Sequence, residues 1–300
     1  MRNDKLFNYL HLHLIVFIWG FTAVLGRLIT LEAIPLVWYR MLLATGFIFL
    51  FLVIKKEKLR FSTKTLLGYS LGGIIIALHW LTFFGAIKAS NVSVTLAVLS
   101  TGAFFTSLLE PLFYGRKIIL YEVLFGLIVV IGLYVIFDVE SSYTLGILLA
   151  LASAFLSALF SVMNGKFVLK NKATTISFYE LMFGVLAITI YLVFSGGFTA
   201  EFFTLKTSDW IYLLILASVC TAYAFIASVH VMKWISPYTV MLTINMEPIY
   251  GIVLALIVFG DSENMSPQFY YGAGIILVTV IVNGVIKITQ ERKRRRISHS

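Results

Sequence analysis

Cysteine occurs once in the 300 residues, at Cys220, so no intramolecular disulfide can form and no cysteine metal cluster can be built. Charge is scarce as well: Asp, Glu, Lys and Arg together make up 12% of the chain, against about a quarter in an ordinary globular protein. Known chemical signatures are missing too, with no GxxxxGK[ST] phosphate loop, no HExxH and no Ser-His-Asp order. These gaps rule out a disulfide scaffold and a nucleotide-driven pump contained in this chain. They leave no positive argument for an enzyme or for a bound cofactor.

Apolar residues fill the space that charge leaves. The chain is 60% hydrophobic with a mean hydropathy of +0.97, the composition of a multi-pass membrane protein. A hydrocarbon core about 30 Å thick needs roughly 20 apolar residues per helix. Ten stretches reach that length, at 9–29, 34–54, 67–88, 91–113, 119–137, 143–164, 174–194, 209–232, 236–259 and 269–288. They are apolar all round, whereas the strands of a membrane barrel would be about ten residues long and alternate in polarity. The fold expected is all-α with ten transmembrane helices. No small-residue cleavage site follows the first stretch, which reads as a retained helix rather than a signal peptide.

Of 23 Lys and Arg residues, only Arg27, Lys88 and Lys206 fall on the face opposite the chain ends, and Arg40 lies within a span. The other nineteen share the face of the two termini. The positive-inside rule then places both termini in the cytoplasm, as for a protein of the cytoplasmic membrane. The net charge of +9 therefore reflects topology and gives no reason to expect nucleic acid. The run Arg292 to Arg296, just past the last span, suits contact with anionic lipid.

The chain also repeats itself. Gly26-Arg27 returns as Gly165-Lys166, Tyr39-Arg40 as Tyr179-Glu180, Lys88 to Gly115 as Lys233 to Gly260, and Gly126 as Gly272. Five spans per half turn the second copy upside down in the membrane, the usual scaffold of a secondary transporter. The division expected is 1–138 and 139–289 for the two repeats and 290–300 for a basic tail.

An ionisable group at the centre of a membrane helix costs about 2.5–3.5 kcal/mol on insertion scales, so it persists where a partner or a wet cavity offsets that cost. Arg40, His79, Glu110, Glu180, His230 and Glu247 are the residues at issue. Glu247 precedes Pro248, whose missing amide opens the helix, with Asn245 and Thr243 close by. It reads as a substrate or proton site, or as a buried packing carboxylate. Arg40 suits a bound carboxylate or a gate, or else snorkels to the outer interface. For Glu180, a bond to Lys166 or Lys170 near the inner surface is expected. His79 is a proton relay or a bundle hydrogen bond, and Trp80 offers a flat face to an aromatic or cationic solute. Trp19, Thr22, Tyr39, Tyr179 and Tyr223 are further cavity linings. His11 and His13 share only a superficial metal-ligand spacing. Gly68 with Gly72, and Gly272 with Gly274, are expected at close helix contacts.

Trp19-Gly20-Phe21-Thr22 running to Gly26-Arg27, Pro35 with Arg40, Glu247-Pro248-Ile249-Tyr250 running to Phe259-Gly260, and Gly272-Ala273-Gly274 form an ordered pattern. In this order they resemble the drug/metabolite transporter superfamily, and in particular its EamA-type branch. The resemblance implies ten helices in two inverted five-helix repeats around a central cavity. It makes Trp19, Thr22, Arg40 and Glu247 cavity residues by analogy. Asp261 stands where this branch often has Glu, and Gly115-Arg116 occupies the equivalent place in the first half. Ala103 matches Pro248, so the first half is expected to lack the kink and the site to be lopsided. The expected activity is alternating-access transport of a small organic metabolite, an amino acid or related solute, in the direction of export. Proton coupling through Glu247 or His79 and uncoupled facilitation are its two forms. A membrane scaffold or sensor subunit is the alternative class.

Overall fold

The computed structural model describes residues 2–57, 59, 62–115, 117, 120–139 and 141–297. Lys58, Arg60 and Arg116 of the charge map, and the side chains of Arg292 to Arg296 with their expected lipid contact, lie outside the described residues. Thirteen α-helices are described: α1 (Arg2–Leu28), α2 (Ala33–Ile54), α3 (Thr63–Ala89), α4 (Val92–Leu99), α5 (Gly102–Tyr114), α6 (Leu120–Val139), α7 (Thr144–Phe167), α8 (Ala173–Ser195), α9 (Thr207–Ala217), α10 (Ala224–Val231), α11 (Pro237–Ile244), α12 (Glu247–Phe259) and α13 (Pro267–Ile297). No strand occurs among the described residues. With α4–α5, α9–α10 and α11–α12 each counted as one crossing, eight units are long and apolar enough to span a membrane. α6 and α13, with shorter apolar stretches at Leu124–Ile136 and Pro267–Asn283, complete the ten.

The contacts between helices show how the halves combine. α3 packs on α7, and its counterpart α9–α10 packs on α1; α3 packs on α8, and α9–α10 on α2; α4–α5 pack on α7, and α11–α12 on α1. The pairs α2 with α8, α4–α5 with α11–α12, and α6 with α13 map onto themselves. Every large contact between halves therefore has its partner under one two-fold operation, as two inverted five-helix repeats require. Ten crossings put both chain ends on one face, called here the terminal face; the opposite one is the distal face.

The fourth and ninth crossings are broken at matching positions, and here the expectation of a kink in the second half alone is overturned. α4 stops because Ser100 and Thr101 turn their hydroxyls back onto the carbonyls of Ala97 and Val98, at 2.5 and 2.8 Å, where they compete with the helix ladder. The backbone tightens with Thr101 N donating to Val98 O at 3.1 Å, and Gly102 restarts the helix. In the second half Asn245 and Met246 make the same three-residue bonds, to Leu242 O and Thr243 O. There the restart at Glu247-Pro248 suits a residue without an N–H in the first helical turn. Serine, threonine and glycine thus do in one half what proline does in the other. Both broken crossings end on a glycine at positive φ, Gly115 (φ 68°) and Gly260 (φ 58°), a backbone conformation that costs glycine least.

Small residues let the halves touch through backbone. A Cβ on Gly73 would collide with the carbonyl of Glu180 and lie 3.0 Å from the nitrogen of Gly184, so α3 and α8 approach as closely as helices can. Gly272 likewise meets the carbonyl of Gly132, at 2.9 Å from an added Cβ. Gly274, expected in the same contact, faces open space.

Candidate functional site

Between the halves lies a cavity of about 780 Å³, measured out to its mouth. Trp19 and Thr22 of α1, Arg40 of α2 and His79 and Trp80 of α3 line it from the first half, and Glu247 of α12 closes the ring from the second. Its wall continues through Phe225, Ser228 and Met232 to Val240, beside the α10–α11 turn on the terminal face. The cavity therefore runs from mid-depth toward that face.

Arg40 is 2% exposed, which overturns snorkelling to an interface. Its guanidinium carbon sits 3.9 Å from the centre of the Trp80 ring and 5.4 Å from that of Phe84, a cation held on aromatic faces. Its Nε donates to Thr221 Oγ1 at 2.7 Å, and Thr221 Oγ1 donates to Leu216 O at 2.6 Å, five residues back. That spacing is possible because Ser218–Tyr223 forms a π-helical turn between α9 and α10, a feature common at functional sites. The same turn presents the Cys220 carbonyl, which accepts from Trp19 Nε1 at 3.2 Å. One turn of the second half thus fixes two cavity residues of the first. Arg40 Nη1 is left buried without a hydrogen-bond partner.

Glu247 faces the charge of Arg40 across the cavity, but among the described residues no ion pair joins them. His79 is anchored: its Nδ1 lies 2.9 Å from the carbonyl oxygen and 2.8 Å from the hydroxyl of Ser153. Ser153 Oγ in turn donates to His79 O at 3.1 Å.

Four expected linings lie elsewhere. Tyr39 belongs to an aromatic cluster with Trp38, Phe202 and Trp210, and its hydroxyl donates to Phe202 O at 3.3 Å. Tyr179 stacks on Tyr69. Tyr223 is 44% exposed and bonded to His11 Nε2 at 2.8 Å. Asn245 is buried in the break before Glu247, its Nδ2 without a partner. Glu180 also departs from expectation: no lysine reaches it. It is fully buried and accepts from Asn164 Nδ2 at 3.1 and 3.3 Å, while Lys166 lies over the rings of Phe113 and Tyr114.

Ser157 and Ser161 of α7 and Ser228 of α10 also line the cavity. A signal for the first two was present, since Ser153, Ser157 and Ser161 recur every fourth residue and so share one helix face.

The distal end is shut by acids of the second half. Glu263 accepts from the backbone N–H of Val92 at 3.1 Å and of Ser93 at 2.9 Å, at the start of α4, and pairs with Arg27 at the end of α1. A carboxylate there satisfies orphan donors and suits the positive end of the helix dipole. Asp209 accepts from Thr30 N at 2.8 Å and Thr30 Oγ1 at 2.7 Å. The matching first-half positions, 145 residues earlier, are Lys64 and Ile118; on the terminal face Glu57 of the first half accepts instead from Thr174 Oγ1 at 2.9 Å and pairs with Lys172 at 3.5 Å.

A family model for EamA-like transporters matches this chain twice, over residues 6–138 and 144–285. The chain belongs to the EamA-like transporter family. Among relatives of this EamA-like protein are the uncharacterized transporter YxxF of Bacillus subtilis, 22% identical over 256 residues spanning 83% of this chain and 79% of the relative, and an uncharacterized transporter of Archaeoglobus fulgidus, 22% identical over 219 residues spanning 73% and 76%. A solved crystal structure superposes with a TM-score of 0.67 over 94% of this chain and 98% of its own at 15% identity, a likeness of fold alone. The cavity described above is thus that of a multi-pass EamA-like membrane transporter, working on a small solute within a lipid bilayer.

Proposed function

We propose that this EamA-like transporter exports a small zwitterionic solute, an amino acid or close relative, across the cytoplasmic membrane, with both termini in the cytoplasm. One observation carries the reading: Arg40, fixed on Trp80 with Nη1 unpartnered, faces Glu247 across the cavity. A guanidinium suits a carboxylate, and the carboxylate opposite suits an ammonium. The aromatic wall of Trp19, Phe83, Phe160 and Phe225 suits an apolar side chain. With the distal end closed and the lining reaching the terminal face, the site is disposed to load from the cytoplasm. Because Glu247 can take either the solute's ammonium or a proton, the two compete, and exchange of solute outward for a proton inward follows. Rocking of the halves about the matched breaks in α4–α5 and α11–α12 supplies alternating access.

Binding is tested by thermal melting of the purified protein against amino acids and their amides. A solute at about 100 times its Kd stabilises a protein by about 2.7 kcal/mol. Amino acids with apolar side chains are expected to raise the melting temperature and their amides to leave it unchanged; equal shifts from both would refute a role for Arg40 in carboxylate recognition. Coupling is tested in liposomes. Efflux of a stabilising amino acid should accelerate when the receiving side is acidic, and a rate indifferent to the pH gradient would leave facilitation as the mechanism.

A further inference from the structure

A second acidic group lies outside the cavity lining. Glu180 of α8 is buried to 0% exposure at the contact between halves, pressed against α3 where a Cβ on Gly72 would collide with its Oε1. Its two oxygens accept from a single amide nitrogen, that of Asn164.

Among the described residues the surroundings hold no countercharge. On α3 the titratable neighbour is Tyr69, buried, with its hydroxyl unpartnered. On α8 itself it is Tyr179, stacked on Tyr69. From α7 comes neutral Asn164, while Lys166 is turned onto Phe113 and Tyr114. On α2 the charge is Arg40, committed to Trp80 and Thr221, and on α10 the titratable group is His230, edge-on to Trp234 at 4.8 Å. A buried carboxylate ion with one amide donor and no cation pays a desolvation cost of several kcal/mol. A buried group in that position takes up a proton instead. Acceptors for that proton are at hand, since Asn164 Oδ1 and Ser177 Oγ are buried without partners.

We propose that Glu180 is a proton-binding site whose occupancy is tied to closure of the α3–α8 contact. The inference rests on the alternating-access reading above, but it assigns this proton to the interface between halves and leaves the solute-linked one to Glu247. In the arrangement described here, Gly72 and Gly73 seal the carboxyl from water and it is neutral. When the halves rock and α3 withdraws from α8, water reaches the carboxyl and the proton leaves. Protonation thus favours the state open to the terminal face, and ionisation favours the other. The sign is fixed: access to the cavity from the terminal face falls as pH rises through the transition.

Two measurements on the full-length protein in liposomes, without solute, test this. The first is infrared difference spectroscopy from about pH 5 to about pH 9, a range that covers buried carboxyls in both protonation states. A carbonyl band of a buried carboxylic acid should be present at low pH, disappear at high pH, and be missing in Glu180→Gln. The second is alkylation of Met232→Cys, at the terminal-face mouth, in a Cys220→Ser background. Its rate, divided at each pH by that of a fully accessible thiol so that thiolate formation cancels, should fall by up to about tenfold per pH unit, the limit for one linked proton, in step with the band. Glu180→Gln, a fixed mimic of the neutral acid, should keep this ratio high at every pH. Asn164→Leu, which removes the donor that favours the anion, should move both transitions to higher pH. A band indifferent to Glu180→Gln, or an alkylation profile unchanged by it, overturns the proposal. Neither readout uses solute, so failure to find a transported amino acid leaves this test intact. A pH-indifferent interface would equally leave the Arg40–Glu247 site standing.

Discussion

Arg40→Ala is expected to lower solute counterflow in liposomes by about ten- to a hundredfold while the protein remains folded and monodisperse. The magnitude follows from the contact at stake. A hydrogen bond to a charged group contributes about 1.5–3 kcal/mol, and each 1.4 kcal/mol is a factor of ten. Folding should survive, because Thr221 keeps its bond to Leu216 O and Trp19 its bond to Cys220 O, so the π-helical turn does not depend on Arg40 alone. Arg40→Lys is the informative companion. It keeps the charge but gives up the planar stack on Trp80 and the Nε bond to Thr221, and it should fall between alanine and the parent. Counterflow by Arg40→Ala at the parent rate would remove Arg40 from solute binding altogether.

The second large effect is expected at the distal face. Glu263→Ala removes, in one step, the acceptor of two backbone N–H groups of α4 and the partner of Arg27. Losing one member of a buried pair typically costs about 3–5 kcal/mol. Arg27 is 27% exposed on its side chain and partly screened by water, so the low end applies. About 3 kcal/mol shifts a two-state equilibrium by roughly a hundredfold, enough to open the distal end if the halves otherwise pack unchanged. A cysteine at Leu99, a cavity residue near that end, should then react with an impermeant maleimide from the distal side much faster than in the parent, in a Cys220→Ser background. Asp209→Asn, which keeps an oxygen for Thr30, should change the rate far less. Labelling of the Glu263→Ala variant at the parent rate would show that closure lies elsewhere.

The architecture was largely legible because hydrophobic length and inverted repetition are properties of a chain's own order. Matching Gly115 to Gly260 sets the register that the breaks obey, at Ser100–Thr101 and Asn245–Met246. The break in the first half was missed because it is made by hydroxyls and a glycine, which read as ordinary residues of an apolar span. Polar residues of the cavity stood out where they were ionisable. Ser157 and Ser161 did not, although their spacing shared a face with Ser153.

Other misses have one physical origin. Depth along a helix can be counted from sequence, but the direction in which a side chain points cannot. Tyr39, Tyr179 and Tyr223 sit at plausible depths and face an aromatic cluster, a stacked tyrosine and the periphery respectively. Glu180 was placed near lysines by depth, whereas its neighbours across the interface are glycines. The π-helical turn at Ser218–Tyr223 has no signature of its own, since it is held by bonds to Arg40 and Trp19 from the other half.

A distal end held by Glu263 and Asp209, with a cavity whose lining reaches the terminal face, has a kinetic consequence. A protein that rests closed on one side presents its site to that side only in a small fraction of molecules, and apparent affinity there is reduced by the same fraction. The half-saturation concentration should therefore be higher for solute arriving from the distal side than from the terminal side. The final gradient is untouched, because a bias among empty states cancels around a closed cycle. What the bias sets is rectification: at solute levels found inside a cell the carrier loads readily, and at the same level outside it stays mostly idle.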